Sequence, residues 1–264
     1  MGLFRRLGRL GRHDASDVPT DWPEIVERHV AVWRYLDDHD REALGERLTD
    51  VLISKQWEAA RGFVLTDRMR GVIAAQAALL VLGLDTSWLR GVSTIVVHPS
   101  TRRVERTSPG PVPGTETCGQ VHLLGEAAYE GPVVVAWDSA SRAARHPGRG
   151  VDVVIHELTH KIDMLDHVVD GTPPLDDPVL HDRWVEVCTR EFELLVAEDD
   201  AGVDDGVLDP YGATDAGEFF AVATEAFFTA PIELSTEKPE LYRVLHDFYG
   251  QDPAARLARG PRPR

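Results

Sequence analysis

Hydrophobic residues recur at helical spacing through the first third of the chain. Between residues 25 and 36 the apolar positions lie three or four residues apart, which predicts a helix, and a second helix is predicted over 41–53. Thr66 or Asp67 can cap a third helix that runs to about Leu82 and is apolar on nearly every side. These segments predict an N-terminal layer of helices.

The spacing changes from helical to strand-like in the middle third. Short apolar runs at 91–99 and 133–137 predict two strands, and a further strand is predicted just before a turn near residue 130. A polar segment rich in proline and glycine, 102–119, predicts a loop between them. This region therefore predicts a small mixed sheet.

The second half of the chain returns to helical spacing. Helices are predicted over 153–165, 177–198, 216–229 and 239–248. Helices that flank a small sheet are typical of the α+β class. No stretch has the composition of an interdomain linker, so we expect one domain over 19–258, between a flexible basic tail (1–18) and a disordered tail (259–264).

Composition narrows the classes of function. The formal net charge of −16 argues against direct binding of nucleic acid, which needs a basic surface. Cys118 and Cys188 lie far apart without CxxC spacing, which argues against a disulfide framework and a cysteine zinc site. The longest apolar run is too short to form a transmembrane segment, and the basic start lacks the apolar core of a signal peptide. We therefore expect a cytoplasmic location.

The stretch VVIHELTHKIDMLD (153–166) has the spacing of a metal site. His156 and His160 are four residues apart, so on a helix their side chains share one face and can reach one zinc ion. Glu157 lies about 100° around the helix, where it can act on a water as a general base instead of binding the metal. Surrounding apolar residues predict that this helix is buried, where unpaired polar groups would be costly.

A catalytic zinc needs a third protein ligand, and the residues leave several candidates. Asp166 and His167 follow the motif, but that placement needs a sharp turn at Asp163, where the pattern continues the helix. Glu218 and Glu225 lie two helical turns apart in an apolar stretch, which favours a partner for each. Asp163 is expected to orient a ligand histidine through a hydrogen bond.

Long stretches of the chain resemble a known family. VVIHELTHKIDMLD, DPYGATDAGEFFAVATEAFF, GPVVVAW and DFYGQDPAARL are similar to the Mlc titration factor A family of bacterial zinc peptidases. The catalytic part of that family is similar to the C-terminal domain of anthrax lethal factor, which implies a zincin-like metallopeptidase fold. The resemblance extends from about residue 36 to 257.

The resemblance implies a role for each residue of the candidate site. The family's zinc ligands fall on His156, His160 and Glu218, as in a gluzincin, with one Zn²⁺ per chain. Its general base falls on Glu157, and its tyrosine falls on Tyr211. A phenol at that place can donate a hydrogen bond to the oxyanion of a tetrahedral intermediate.

Two further features follow from the resemblance. Glu225 matches a family glutamate that supports a ligand from behind. In zincins an edge strand beside the active-site helix binds an extended substrate. That strand would consist of Val133, Val134, Val135, Ala136 and Trp137. A plain core strand is the alternative interpretation.

The sequence thus predicts a zinc-dependent peptidase that acts on a peptide or protein substrate, with endopeptidase and aminopeptidase action both open. The resemblance also implies a second role, in which the chain binds and sequesters a glucose-responsive transcriptional repressor and peptidase activity is secondary. A purely structural zinc is disfavoured, because such sites have four protein ligands and usually include cysteine.

Overall fold

The computed structural model describes residues 18–60, 62–100, 131–148, 151–203 and 206–262, and the backbone of 107–109 and 116–118. The predicted basic tail, except its last residue, and the strand predicted just before residue 130 lie outside the described residues. The limits of the predicted single domain stay predictions.

Helices form most of the structure. The α-helices are α1 (Trp22–His29), α2 (Asp38–Ser54), α3 (Asp67–Leu80), α4 (Trp137–Arg145), α5 (Val153–Asp163), α6 (Pro178–Asp200), α7 (Ala216–Thr229), α8 (Pro231–Glu237), α9 (Pro239–Tyr249) and α10 (Pro253–Ala258). Short 3₁₀ helices lie at Ala31–Tyr35, Thr86–Leu89, Met164–Asp166 and Pro210–Ala213. In the part of the chain that the structure describes, no helix combines the length and the apolar character needed to cross a membrane.

The first predicted helix is shorter than its spacing suggests. Helix α1 ends at His29, because Val30 has an extended backbone (φ −117°, ψ 100°) and a 3₁₀ helix follows. The side chain of Val30 is buried, and the bend brings Trp33 edge-on against Trp22 with ring centroids 6.4 Å apart. Helical spacing alone does not reveal such a break.

The strands form a small parallel sheet. Its strands are β1 (Gln56–Ala59), β2 (Thr94–His98) and β5 (Val133–Ala136), in the order β1-β2-β5. A separate antiparallel pair joins β3 (Thr107–Pro109) to β4 (Glu116–Cys118). The sheet differs from the predicted mixed one because its described strands are all parallel.

Helix α3 connects β1 to β2 and lies at the centre of the helical layer. Thr66 caps it by accepting a hydrogen bond from the amide of Met69 at 3.3 Å, as predicted. Alanine and leucine occupy six of its last seven positions, and α1, α2, α4 and α5 all pack against it. This packing fixes α5, which carries the two histidines, against the body of the protein.

Helix α7 packs along α5 on its other side. An aromatic cluster packs against α7. In it, the ring of Trp184 on α6 lies edge-on to Phe220 of α7 at a centroid distance of 5.1 Å and to Phe248 of α9 at 5.4 Å. The two helices α5 and α7 are therefore held side by side by separate parts of the core.

Candidate metal centre

The first turn of α5 is fixed just before the first histidine. Asp152 is the N-cap of the helix, and its Oδ1 accepts hydrogen bonds from the amides of Val154 at 3.0 Å and Ile155 at 3.3 Å. Apolar residues on the inner side of α5 are almost fully buried, among them Leu158 and Ile162. The opposite side of α5 is therefore the side on which its polar side chains can point away from the core.

His156 and His160 share that face, as their spacing predicts. Their Nε2 atoms are 3.2 Å apart, and their ring centroids are 4.8 Å apart at an interplanar angle of 83°. Both side chains are only partly exposed. Two ring nitrogens at this distance repel each other through their lone pairs unless one of them carries a proton or both bind one cation.

Glu218 reaches the histidines from the first turn of α7. Asp215 caps this helix and accepts a hydrogen bond from the amide of Glu218 at 2.9 Å. The carboxylate is buried, and its Oε2 lies 3.1 Å from Nε2 of His156 and 3.4 Å from Nε2 of His160. One oxygen and two nitrogens from two helices thus meet at one point.

The three atoms fit a tetrahedral ion. Zinc with bonds of about 2.0–2.1 Å holds its ligand atoms about 3.3 Å apart. The three separations here are 3.1, 3.2 and 3.4 Å. Two imidazole nitrogens and a carboxylate oxygen are also donors that zinc accepts.

The charges around His156 favour a cation at this point. Burial opposes the charged form of His156, but its hydrogen bonds to Glu218 and Glu225 outweigh that effect and raise its pKa to about 10. Burial likewise raises the pKa of Glu218, while His156 and His160 lower it below its usual range. A metal ion would meet the same negative charges that stabilise a proton here.

Glu225 lies behind His156, on the side away from the three converging atoms. Its Oε1 accepts a hydrogen bond from Nδ1 of His156 at 2.7 Å, which leaves Nε2 as the ring nitrogen that faces Glu218. The other oxygen, Oε2, accepts a hydrogen bond from the amide of Asp152. The pair resembles the carboxylate–histidine arrangement that orients metal ligands in general.

Tyr211 lies in the 3₁₀ helix before α7, close to the same atoms. Its hydroxyl donates to Oε1 of Glu218 at 3.1 Å, and its ring centroid is 6.2 Å from that of His156. Burial and the charges of Glu218, Asp215 and Glu157 raise the pKa of the phenol, which therefore keeps its proton at neutral pH. The residue is 39% exposed, so part of its ring borders solvent.

Glu157 is half-buried and is not among the converging ligand atoms. Its charge raises the pKa of Tyr211 and opposes the lowering effect of burial on the pKa of Lys161. The carboxylate of Glu157 is therefore close enough to Tyr211 to act on its charge state.

The residues that follow the motif lie elsewhere. Asp166 and His167 are exposed, and His167 has a left-handed backbone with φ 72°. Asp163 is fully buried and its Oδ2 accepts a hydrogen bond from the amide of Gly171 at 3.2 Å. Burial raises its pKa to about 7. The orienting role expected for Asp163 stays a prediction, and the described contact joins it to the loop at Gly171.

Strand β5 runs beside the motif helix. Of the strands that the structure describes, only β2 pairs with β5, which places it at the sheet edge next to α5. Val133 and Val135 are buried, whereas Val134 is 48% exposed. Trp137 was expected to continue the strand, but it is the first residue of α4.

Sequence reasoning missed Asp152. The signal was present, since an aspartate directly before the apolar run of α5 is a typical N-cap. Its contact with Glu225 joins α5 to α7, and no pattern within either helix predicts that contact.

Comparisons with known proteins find one matching family and several similar relatives. Residues 5–250 match the model of a family described as glucose-regulated metallo-peptidase M90. A protein of uncharacterized function from Synechocystis sp. is 33% identical over 238 residues, which cover 89% of this chain and 86% of the relative. The Mlc titration factor A of Yersinia enterocolitica is 32% identical, with 92% and 90% covered, and that of Serratia proteamaculans is 34% identical, with 85% of each covered.

Proposed function

This chain belongs to the glucose-regulated metallo-peptidase M90 family, and we propose that it hydrolyses peptide bonds in a cytoplasmic location with one zinc ion per chain. The observation that carries the proposal is the convergence of His156, His160 and Glu218 at tetrahedral spacing. A motif helix beside an edge strand, with the third ligand from a second helix, also supports a zincin fold.

We assign the metal ligands to His156, His160 and Glu218, with Glu225 holding His156 in place. A zinc ion in such a site supplies Lewis acidity and lowers the pKa of water to about 7. Glu157 takes the proton of the attacking water and delivers it to the leaving amine. Its position on α5, next to His156 but outside the ligand set, suits this role.

Tyr211 stabilises the oxyanion that develops on the scissile carbonyl. In the structure its hydroxyl donates to Glu218, so it must turn toward the substrate to act. The partial exposure of the ring leaves room for that motion. Strand β5 supplies main-chain groups for an extended peptide, with Val134 on the outward side.

The test is hydrolysis of a mixed peptide library by the purified chain, with bound zinc measured in every sample. The Glu157→Gln variant should keep its zinc and lose at least about 10²-fold in rate, the usual contribution of a general base. Glu193→Gln, at an exposed position of α6, is the matched control and should act like the parent. Equal rates in parent and Glu157→Gln would refute the assignment of the base.

The same library shows the mode of cleavage. Peptides with a blocked amino terminus remain substrates of an endopeptidase, whereas an aminopeptidase needs the free amine. Zinc in the parent without cleavage of any peptide would remove the peptidase proposal and favour a binding function.

A second function is favoured by the names of the relatives. The relatives from Yersinia enterocolitica and Serratia proteamaculans are called Mlc titration factor A, and the sequence resemblance implies binding of a glucose-responsive repressor. We therefore also propose that this chain binds a transcriptional repressor protein. A pull-down with such a repressor separates the binding function from the peptidase function. Repressor binding that survives Glu157→Gln is independent of catalysis. Absence of binding with both forms would exclude this role for that repressor.

A further inference from the structure

Asp152 joins the start of α5 to the carboxylate behind His156. Its side chain is buried, with the residue 5% exposed, and accepts hydrogen bonds from the amides of Val154 and Ile155. Its own amide donates to Oε2 of Glu225. One residue therefore fixes both the first turn of the motif helix and the position of Glu225.

Glu225 links Asp152 to the metal site through hydrogen bonds. One of its oxygens accepts from Asp152 and the other accepts from Nδ1 of His156 at 2.7 Å, so both oxygens are fixed. A carboxylate held at both oxygens cannot rotate freely, and the imidazole plane of His156 is fixed with it. The direction of the His156 Nε2 lone pair thus depends on where Asp152 lies.

A small cavity adjoins Asp152. It has a volume of about 20 Å³, and its lining includes Asp152, Ile155 and Gln76 of α3. The amide nitrogen of Gln76 donates to the carbonyl of Val72 at 3.1 Å. Its Oε1 is buried, and no hydrogen-bond partner for it lies among the described residues.

The cavity matches the needs of one water molecule. About 10–15 Å³ is enough for a buried water, provided that polar groups line the space. A buried acceptor without a partner is costly, so a water that donates to Oε1 of Gln76 would be stabilising. Asp152 supplies a second polar group at the same cavity.

We propose that Asp152 is a positioning residue for the metal site, and that one water bound between Asp152 and Gln76 completes its support. The inference rests on the proposed function only in its choice of zinc as the ion. It assigns to Asp152 no contact with the substrate or the ion, and its effect passes through Glu225 and His156.

The test is the dissociation constant of zinc, measured on the full chain by competition with a chromogenic chelator. Asp152→Ala keeps the amide that donates to Glu225 but removes the carboxylate that fixes where this amide lies. It should raise the constant by about 10-fold, the lower end of the effect that loss of outer support has at other metal sites. Asp152→Asn keeps an oxygen that can cap the helix and should restore most of the affinity. If Asp152→Ala folds poorly, the smaller rise expected in Gln76→Met still tests the support of the metal site.

Asp177→Ala is the matched control. Asp177 is also an N-cap aspartate, which accepts from the amide of Val179 at 2.9 Å, but it lies at the start of α6. Its loss should lower the melting temperature and leave the zinc constant unchanged. An unchanged constant in Asp152→Ala, or an equal change in Asp177→Ala, would overturn the positioning role.

Gln76→Met tests the water. It removes Oε1 at similar side-chain volume and should raise the zinc constant several-fold, less than Asp152→Ala. A crystal structure of the parent should show one ordered water in the cavity. A dry cavity with an unchanged constant in Gln76→Met would overturn this part of the proposal.

The zinc constant also separates this inference from the peptidase proposal. A parent that binds zinc but cleaves no peptide leaves the positioning role testable and contradicts the enzymatic function alone. A parent that cleaves peptides while Asp152→Ala binds zinc normally contradicts the positioning role alone.

Discussion

Helices α3 and α7 are both buried on nearly every side, yet of these two only α7 contributes a residue to the candidate metal site. In α3 the buried stretch includes a single amide side chain, Gln76, whose nitrogen bonds to a carbonyl of its own helix. In α7 every residue from Gly217 to Thr229 is buried, and two of them, Glu218 and Glu225, are acidic. Hydrophobicity alone would describe both as core helices.

The difference lies in where the polar groups find partners. The amide nitrogen of Gln76 finds its acceptor within its own helix, whereas a buried carboxylate needs a positive group or several donors. Glu218 and Glu225 find theirs on α5, in His156, His160 and the amide of Asp152. A buried acidic residue with partners on a second helix is therefore a stronger indicator of a site than burial itself.

Glu218→Ala should give the largest effect, because it removes one of the three proposed ligands. We expect loss of bound zinc after dialysis and loss of measurable peptidase activity, read by metal analysis and peptide hydrolysis. Asp166→Ala, in the exposed turn after the motif, should keep both. Zinc retained in the first variant and lost in the second would make Asp166 the ligand.

Tyr211→Phe comes next and removes only the hydroxyl that reaches Glu218. Loss of one oxyanion donor costs about 10²–10³ in kcat, so we expect a fall of that size with KM and bound zinc little changed. Steady-state kinetics on one cleaved peptide measures it.

Tyr242→Phe is the matched control for Tyr211→Phe. The Tyr242 hydroxyl donates to Asp252 at 2.6 Å, away from the described site, and its loss should leave kcat unchanged. A parental kcat in Tyr211→Phe would mean that another group stabilises the oxyanion.

Local pattern was sufficient to predict α7 itself and the shared face of His156 and His160. Spacing within one helix could not choose between Asp166 and Glu218, because that choice depends on how α5 and α7 pack. Only the resemblance to a known family favoured Glu218 further. The cluster at His156, His160 and Glu218 now supports that choice through geometry.

The errors have local causes. Trp137 continues an apolar run, and alternation does not reveal that the backbone turns helical after Ala136. Val30 fits a helical pattern but adopts an extended backbone in the core. Asp152 was readable as a cap, but its bond to Glu225 depends on tertiary packing.

Glu225→Ala should act on affinity more than on chemistry. His156 would lose the acceptor of its Nδ1 proton, and we expect a rise of about 10- to 100-fold in the zinc dissociation constant. Chelator competition measures this change.

Glu191→Ala is the matched control for the loss of a buried glutamate. Glu191 is also a buried glutamate, but it belongs to α6 and pairs with Lys238 at 3.1 Å. Its loss should reduce stability and spare zinc affinity. Equal zinc loss in both variants would mean that Glu225 acts only through folding.

Ile73→Val should give the smallest effect and tests the α3 side of the comparison. Ile73 is fully buried in the same helix as Gln76, and removal of one methylene should cost about 0.5–1.5 kcal/mol in the free energy of unfolding. Denaturant unfolding measures that cost, and chelator competition should give the parental zinc constant. If the zinc constant rose as much as in Gln76→Met, any disturbance of α3 would reach the metal site through packing. A parental value instead confines the influence of α3 on the site to the side chain of Gln76.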